Sequence, residues 1–165
     1  MIAELFNNPK SFQDVRRVIG QIGYRGLQTY TPTWTATTTN PTIGNGGLRG
    51  MYWLGLGMCW ATARITIGST TTLGTGTYEM GLPVGPNVKD GVLQNHGSVI
   101  CYDLSAMVYG LGVCQIGATG AAKMTLFAMA PSVTGAGETA VMTQAKPFAW
   151  QDSDWIEATI FYPVA

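Results

Sequence analysis

Charge is what this sequence has least of. Lys, Arg, Asp and Glu together make up 11% of 165 residues, against roughly 25% in an average soluble domain. Nine basic and nine acidic residues cancel, which leaves no electrostatic footprint for nucleic acid or for an anionic membrane. Disorder is excluded as well: it couples high net charge to low hydrophobicity, and here 46% of the residues are hydrophobic. The surface must therefore be tiled with Thr, Ser, Gly, Asn and Gln, or be covered by other subunits. There is one histidine. The cysteines Cys59, Cys101 and Cys114 fit no zinc or redox spacing. They read as small hydrophobes, kept reduced in a protein made in a cytoplasm. No apolar run approaches the roughly 18 residues that span a bilayer. The N-terminus MIAELFNNPKSFQDVRRVIG carries acids and amides where a signal peptide is continuously apolar.

Helix signals are scarce too. The convincing case covers residues 11–21, where Ser11 and Asp14 resemble a capping box just after Pro9. Phe12, Val15, Ile19 and Ile22 follow an a/d seam with Ile in the last two positions, a choice that favours more than two strands. So short a seam is marginal alone. It either folds onto its own domain or meets copies of itself or a larger assembly. Residues 1–28 are accordingly expected to be a helical anchoring or trimerisation segment, and 29–165 a β-sandwich knob.

From Thr29 onward the pattern has period two. Over residues 58–67, Cys59, Ala61, Ala63, Ile65 and Ile67 share one parity, while Met58, Trp60, Thr62, Arg64 and Thr66 share the other. Similar runs occupy 47–53, 77–82, 98–104, 106–116, 122–129, 139–144 and 155–162, separated by Gly-, Thr- and Pro-rich turns. Many short strands without intervening helices predict an all-β, jelly-roll-like antiparallel sandwich. Trp53, Trp60, Tyr102, Tyr109 and Tyr162 fall at outward-facing positions; one interior does not hide them all, although a few of these rings fill the core. Trp53, Trp60, Tyr102 and Tyr109 become candidates for subunit contacts or for stacking on sugars.

Candidate chemistry is thin. His96, with Ser98 and Asp103, imitates a hydrolase set, but no G-x-S-x-G elbow fixes it. Asp152 and Asp154 form a nearby carboxylate pair of the kind glycosidases use. Their place in a turn before the last strand predicts side chains bonding their own backbone instead. Gly44, Asn45, Gly46 and Gly47 lack the Lys-Ser/Thr pair and following helix of a phosphate loop, and read as a hairpin turn. No catalytic, cofactor or metal residue is expected. The protein is read as a structural or binding part.

Several segments, taken in order, carry a resemblance. They are Tyr30-Thr31-Pro32-Thr33-Trp34-Thr35, Asn40-Pro41-Thr42-Ile43-Gly44-Asn45-Gly46 and Leu48-Arg49-Gly50-Met51-Tyr52. Ile67-Gly68-Ser69-Thr70-Thr71-Thr72, Gly74-Thr75-Gly76-Thr77-Tyr78, Leu82-Pro83-Val84 and Lys146-Pro147-Phe148-Ala149-Trp150 follow. Over residues 29–162 this chain resembles the C-terminal β domain of minor tail and tail-fibre proteins of tailed bacteriophages, notably those of actinobacteria. The resemblance implies a jelly-roll-like homotrimer on the virion surface, assembled in the host cytoplasm and lacking catalytic residues. Its partners would be its own copies and other virion proteins of tail or capsid, with host cell-surface glycan as a further candidate. Nucleic acid and membrane are not among them. Two departures from the pattern are that only about 28 residues precede the domain and that an apolar 53–60 strand replaces an Arg/His-rich one. Both allow a capsid decoration role beside the tail role.

Overall fold

The computed structural model describes residues 26–87, 96–117, 121–130 and 138–164. The expected helix, with Phe12, Val15, Ile19 and Ile22, lies outside them. Among the described residues the chain is all-β, with no helix. The strands are β1 (Gln28–Tyr30), β2 (Trp34–Ala36), β3 (Gly47–Gly55), β4 (Met58–Thr66), β5 (Tyr78–Gly81), β6 (His96–Asp103), β7 (Val108–Gln115), β8 (Lys123–Ala130), β9 (Glu138–Val141) and β10 (Trp155–Pro163). Every strand pair is antiparallel.

Hydrogen bonds join them in one path, β1-β3-β4-β10-β6-β7-β8-β5-β2, with β9 added to β8. The ends of that path are β1 and β2, separated along the chain only by residues 31–33. One short segment therefore pairs β3 with its first half and β5 with its second. The sheet must curl to allow this. The Gly81 N–H donates to the Thr33 carbonyl at 2.8 Å within that join. The periodicity reading omitted β1 and β2, because three residues each are too few to display an alternation.

The inner face is the apolar parity of each strand. Cys59, Ala61, Ala63 and Ile65 of β4 face Ile156, Ala158, Ile160 and Tyr162 of β10 and Met124, Leu126 and Ala128 of β8 in one core cluster. Trp34 meets Tyr78 edge-on at 5.2 Å between ring centroids. Glycine is required where the Tyr30 ring crosses closely over β3. A Cβ on Gly50 would lie 2.3 Å from the Tyr30 ring.

Tyr162 corrects the expectation that it points outward. It is fully buried, and its hydroxyl donates to the Val84 carbonyl at 2.9 Å. Tyr162 shares the parity of Ile156, Ala158 and Ile160, and the polar tip of a buried Tyr needs only one acceptor.

The glycines at 44–47 differ from expectation as well. The β3–β4 hairpin loop is Leu56-Gly57, with φ of 54° and 72°, as in a two-residue type I′ turn. The 44–46 turn instead enters β3 and packs on residues 68–72. Asn45 Oδ1 accepts from the Thr70 amide and hydroxyl, both at 2.9 Å, and Asn45 Nδ2 donates to Ser69 at 3.0 Å. The Thr42 and Thr72 hydroxyls meet at 2.6 Å alongside. These contacts give the Thr-rich tracts a structural use: two long excursions are laced by hydroxyls in place of charges.

Candidate functional site

Register places the outward parities of neighbouring strands in rows across the outer surface. One row runs Thr66, Trp155, Tyr102, Tyr109. Its aromatics touch, Tyr102–Tyr109 at 4.7 Å and Tyr102–Trp155 at 5.8 Å between centroids. Tyr109 is 64% exposed, so this cluster offers an open ring to solvent. The Arg64 guanidinium sits 4.3 Å over the Trp155 ring, and its Nε and Nη2 each lie 2.8 Å from Glu157 Oε2. Cation–π contact and ion pair together fix this corner.

Beside the aromatics lies an apolar strip. Ile100 of β6 faces Leu111 of β7, Val113 of β7 faces Phe127 of β8, and Phe127 faces Val141 of β9. Leu111 is 59% exposed and Met129 49%. Parity dictates this: the inner positions Cys101, Cys114, Leu126 and Ala128 are buried, so their apolar neighbours must point out. The β4–β10 half is more polar, with Thr159 donating to the Thr62 hydroxyl at 3.1 Å beside the Arg64–Glu157 pair. Trp53 and Trp60 are direct cross-strand partners at the end of that half, both half-buried. The four aromatics singled out from sequence thus fall into two pairs on different parts of the outer face. Sequence reasoning missed Trp155, Ile100 and Leu111, all of which the strand parity could have placed.

The hydrolase-like set is not assembled. His96 and Ser98 share the outer face at the start of β6, while Asp103 ends that strand, about 23 Å of extended chain away. Asp103 instead caps the β6–β7 turn, accepting from the Ala106 N–H at 2.9 Å and the Ser105 hydroxyl at 2.7 Å. Those two bonds hold its carboxyl below the usual carboxylate range.

The two aspartates before β10 separate in role. Asp152 stays exposed. Asp154 is fully buried; Oδ2 accepts from the Gln151 N–H at 2.7 Å and Oδ1 from the Leu104 N–H at 2.9 Å. The first bond is the local turn bond expected of it. The second reaches 50 positions back in sequence and ties the β6–β7 turn to the entry of β10.

All three cysteines are free and buried. Burial raises the Cys59 thiol, pushes Cys101 up to about 11 and Cys114 up to about 12. At neutral pH they are protonated packing groups, not nucleophiles. Among the described residues no three His, Cys, Asp or Glu side chains gather as a metal site. An open groove of about 1070 Å³ lies over the outer faces of β3 and β4, bounded by β1, the 44–46 turn and the turn before β10.

No family model, curated protein or solved structure matches this chain.

Proposed function

We propose that this protein is a non-enzymatic structural component of a bacteriophage virion surface, of minor tail or tail-fibre type. In this reading the curled sheet is a flattened, jelly-roll-like sandwich. Three copies associate as a trimeric β knob, and the N-terminal segment attaches the knob to the particle. The observation that carries the reading is the apolar strip of exposed Ile100, Leu111, Met129 and Val141 around half-buried Val113 and Phe127, in a chain with only 11% charged residues. Contiguous exposed apolar surface marks an interface, and with a formal net charge of zero little repulsion keeps copies apart. A pair of copies would bury a standard interface of about 1,600 Å². The sequence resemblance supplies the virion, and with it the choice of particle.

Sedimentation equilibrium on the full chain tests the assembly: a trimer at micromolar concentration is expected, and a monomer there ends the proposal for the isolated protein. Cryo-EM of the parent particle then separates tail from capsid. A few trimers at the tail are expected for the tail reading; copies at every local three-fold of the shell make it a decoration or cement protein. A second reading, a receptor module binding host glycan, is favoured by the open Tyr109 ring on Tyr102. A glycan array with Tyr109→Ala as the control decides it, by whether binding is found and then lost.

A further inference from the structure

We propose that the groove over β3 and β4 is a second binding site, one for an anionic saccharide whose acid group is held by Arg49. Its volume, about 1070 Å³, lies just above the roughly 300–1,000 Å³ typical of ligand pockets. Its open shape suits a chain of sugar rings better than an enclosed small molecule.

Register gives the central argument. Arg49 of β3 stands directly opposite Arg64 of β4 on the outer face. Like charges in directly opposed cross-strand positions destabilise a sheet. Lys and Arg number nine in 165 residues, so abundance does not force two of them together. Only one of the two is neutralised. Arg64 is occupied by Glu157 and by the Trp155 ring, whereas Arg49 is exposed and makes no ion pair among the described residues. The remaining charge in the lining, Asp152, belongs to the turn whose Ser153 N–H donates to the Ile67 carbonyl, beyond Thr66 at the end of β4. The four lining charges sum to zero, and with Glu157 taken by Arg64 the guanidinium of Arg49 is the lining cation left without an ion pair among the described residues.

A guanidinium fork matches a carboxylate or phosphate in two-point geometry. The hydroxyls of Thr29, Thr62, Thr66 and Ser153 line the same groove, a supply of donors and acceptors matched to sugar hydroxyls. Asp152 would accept from a hydroxyl at the rim. A nucleic-acid strand fits less well, because the Trp155 ring is covered by Arg64 and Tyr102 and single strands are held by open stacking faces within a basic channel. A uronic-acid sugar and a phosphodiester-bearing sugar present the same chemistry to Arg49.

This site extends the receptor reading to a place with no open aromatic ring, and the trimer proposal does not depend on it. Calorimetric titration of the full chain with an oligogalacturonate, an oligo(glycerol phosphate) and a neutral galacto-oligosaccharide tests it. Saturable binding of at least one acidic probe is expected, weakening as salt is raised, with little binding of the neutral one. Which acidic probe binds names the source of the anion. Arg49→Gln is expected to weaken that binding by about tenfold or more, with a melting temperature at or above that of the unsubstituted chain, since the Arg–Arg opposition is relieved. The proposal is overturned by no saturable binding of either acid, by equal binding of the neutral probe, or by undiminished binding in Arg49→Gln. A lowered melting temperature accompanying the loss also overturns it, because Arg49 would then be structural. Binding lost in Tyr109→Ala but kept in Arg49→Gln assigns the sugar to the aromatic cluster and removes it from this groove.

Discussion

The outer faces of β4–β10 and of β6–β7–β8 come from strands of similar length and the same alternation, yet they present different chemistry to solvent. Mid-strand on β4 and β10 the exposed parity holds Thr62 bonded to Thr159 and Arg64 paired with Glu157, with Trp155 at one end and Trp60 and the exposed Phe161 toward the other. Across β6, β7 and β8 the same parity holds Ile100, Leu111, Val113 and Phe127. Both halves share one buried face and one core cluster, so packing does not explain the difference. What separates them is what each surface is left to do. A polar surface satisfied by its own side chains can remain in water, whereas an apolar one of this extent calls for a partner.

The seam between the halves is where the largest effect is expected. Asp154 accepts the Leu104 N–H from one half and the Gln151 N–H from the other, with no solvent access. Asp154→Ala leaves two backbone donors without their partner and is expected to destabilise the chain by about 3 kcal/mol, or roughly 6–12 °C in melting temperature at this chain length. Asp154→Asn keeps one acceptor and is expected to lose about half as much. Thermal melts by circular dichroism read both, and an unchanged melting temperature in the Ala variant would show that the seam is not where the halves are joined.

One chemical change, made on each half, tests the comparison itself. Leu111→Asp puts a charge in the apolar strip, and Met51→Asp puts one on the outer face of β3; both residues are exposed, at 59% and 41%. Neither alters the core, so stability should change by no more than about 0.5 kcal/mol in either. Self-association should weaken by about 2 kcal/mol, near 30-fold, for Leu111→Asp alone. Sedimentation at several concentrations measures it. Equal weakening by Met51→Asp would move the contact to the other half, and no weakening by Leu111→Asp would remove the strip from the interface.

Much of this architecture was legible from residue parity. The eight alternating runs correspond to β3 through β10, because an apolar inner face imposes a period of two whenever a strand is long enough to show it. The all-β character followed from the same pattern. The inward place of Tyr162 is legible in the same way, since it shares the parity of Ile156, Ala158 and Ile160. The closure of the sheet by β1 and β2 was not legible, because it depends on two three-residue pairings to strands far off in sequence. Nor was the groove. Arg49 and Arg64 are 15 positions apart, and only the register set by the Leu56-Gly57 turn brings them face to face.

That turn and its counterpart supply a smaller effect, one in each half. Leu56 in the β3–β4 loop and Met107 in the β6–β7 loop have φ of 54° and 56° and are each 77% exposed. Left-handed backbone costs an L-residue about 1 kcal/mol unless it is Gly, Asn or Asp, and neither side chain recovers this by burial. Leu56→Asn and Met107→Asn should each stabilise the chain by about 0.5–1 kcal/mol, seen as a melting temperature raised by about 1–4 °C. A fall in either variant would show that its apolar tip is held in a contact within the folded protein or its assembly.

The smallest effect sets an exposed turn of the surface against the buried thiols of the core. Asp103 has a depressed carboxyl because the Ala106 N–H and the Ser105 hydroxyl bond its charged form. Its stabilising contribution is therefore present above the unfolded value near 3.9 and lost as pH falls through the lower folded value. Cys59, Cys101 and Cys114 act in the opposite direction. Burial raises their thiols, so their contribution is full below the unfolded value near 8.5 and is lost as pH climbs through about 11 for Cys101 and about 12 for Cys114. Stability should hold a plateau between about pH 4.5 and 8.5, with a shallow acid limb and a steeper alkaline one. Asp103→Asn should flatten only the acid limb, since its turn touches none of the cysteines. Replacing Cys114, the thiol pushed highest, by Ala should flatten only part of the alkaline limb. Melts across the pH range, with the Asp103 carboxyl followed by NMR, read both. An Asp103 midpoint at or above the usual carboxylate value would mean that the β6–β7 turn opens in solution, and with it one edge of the apolar strip.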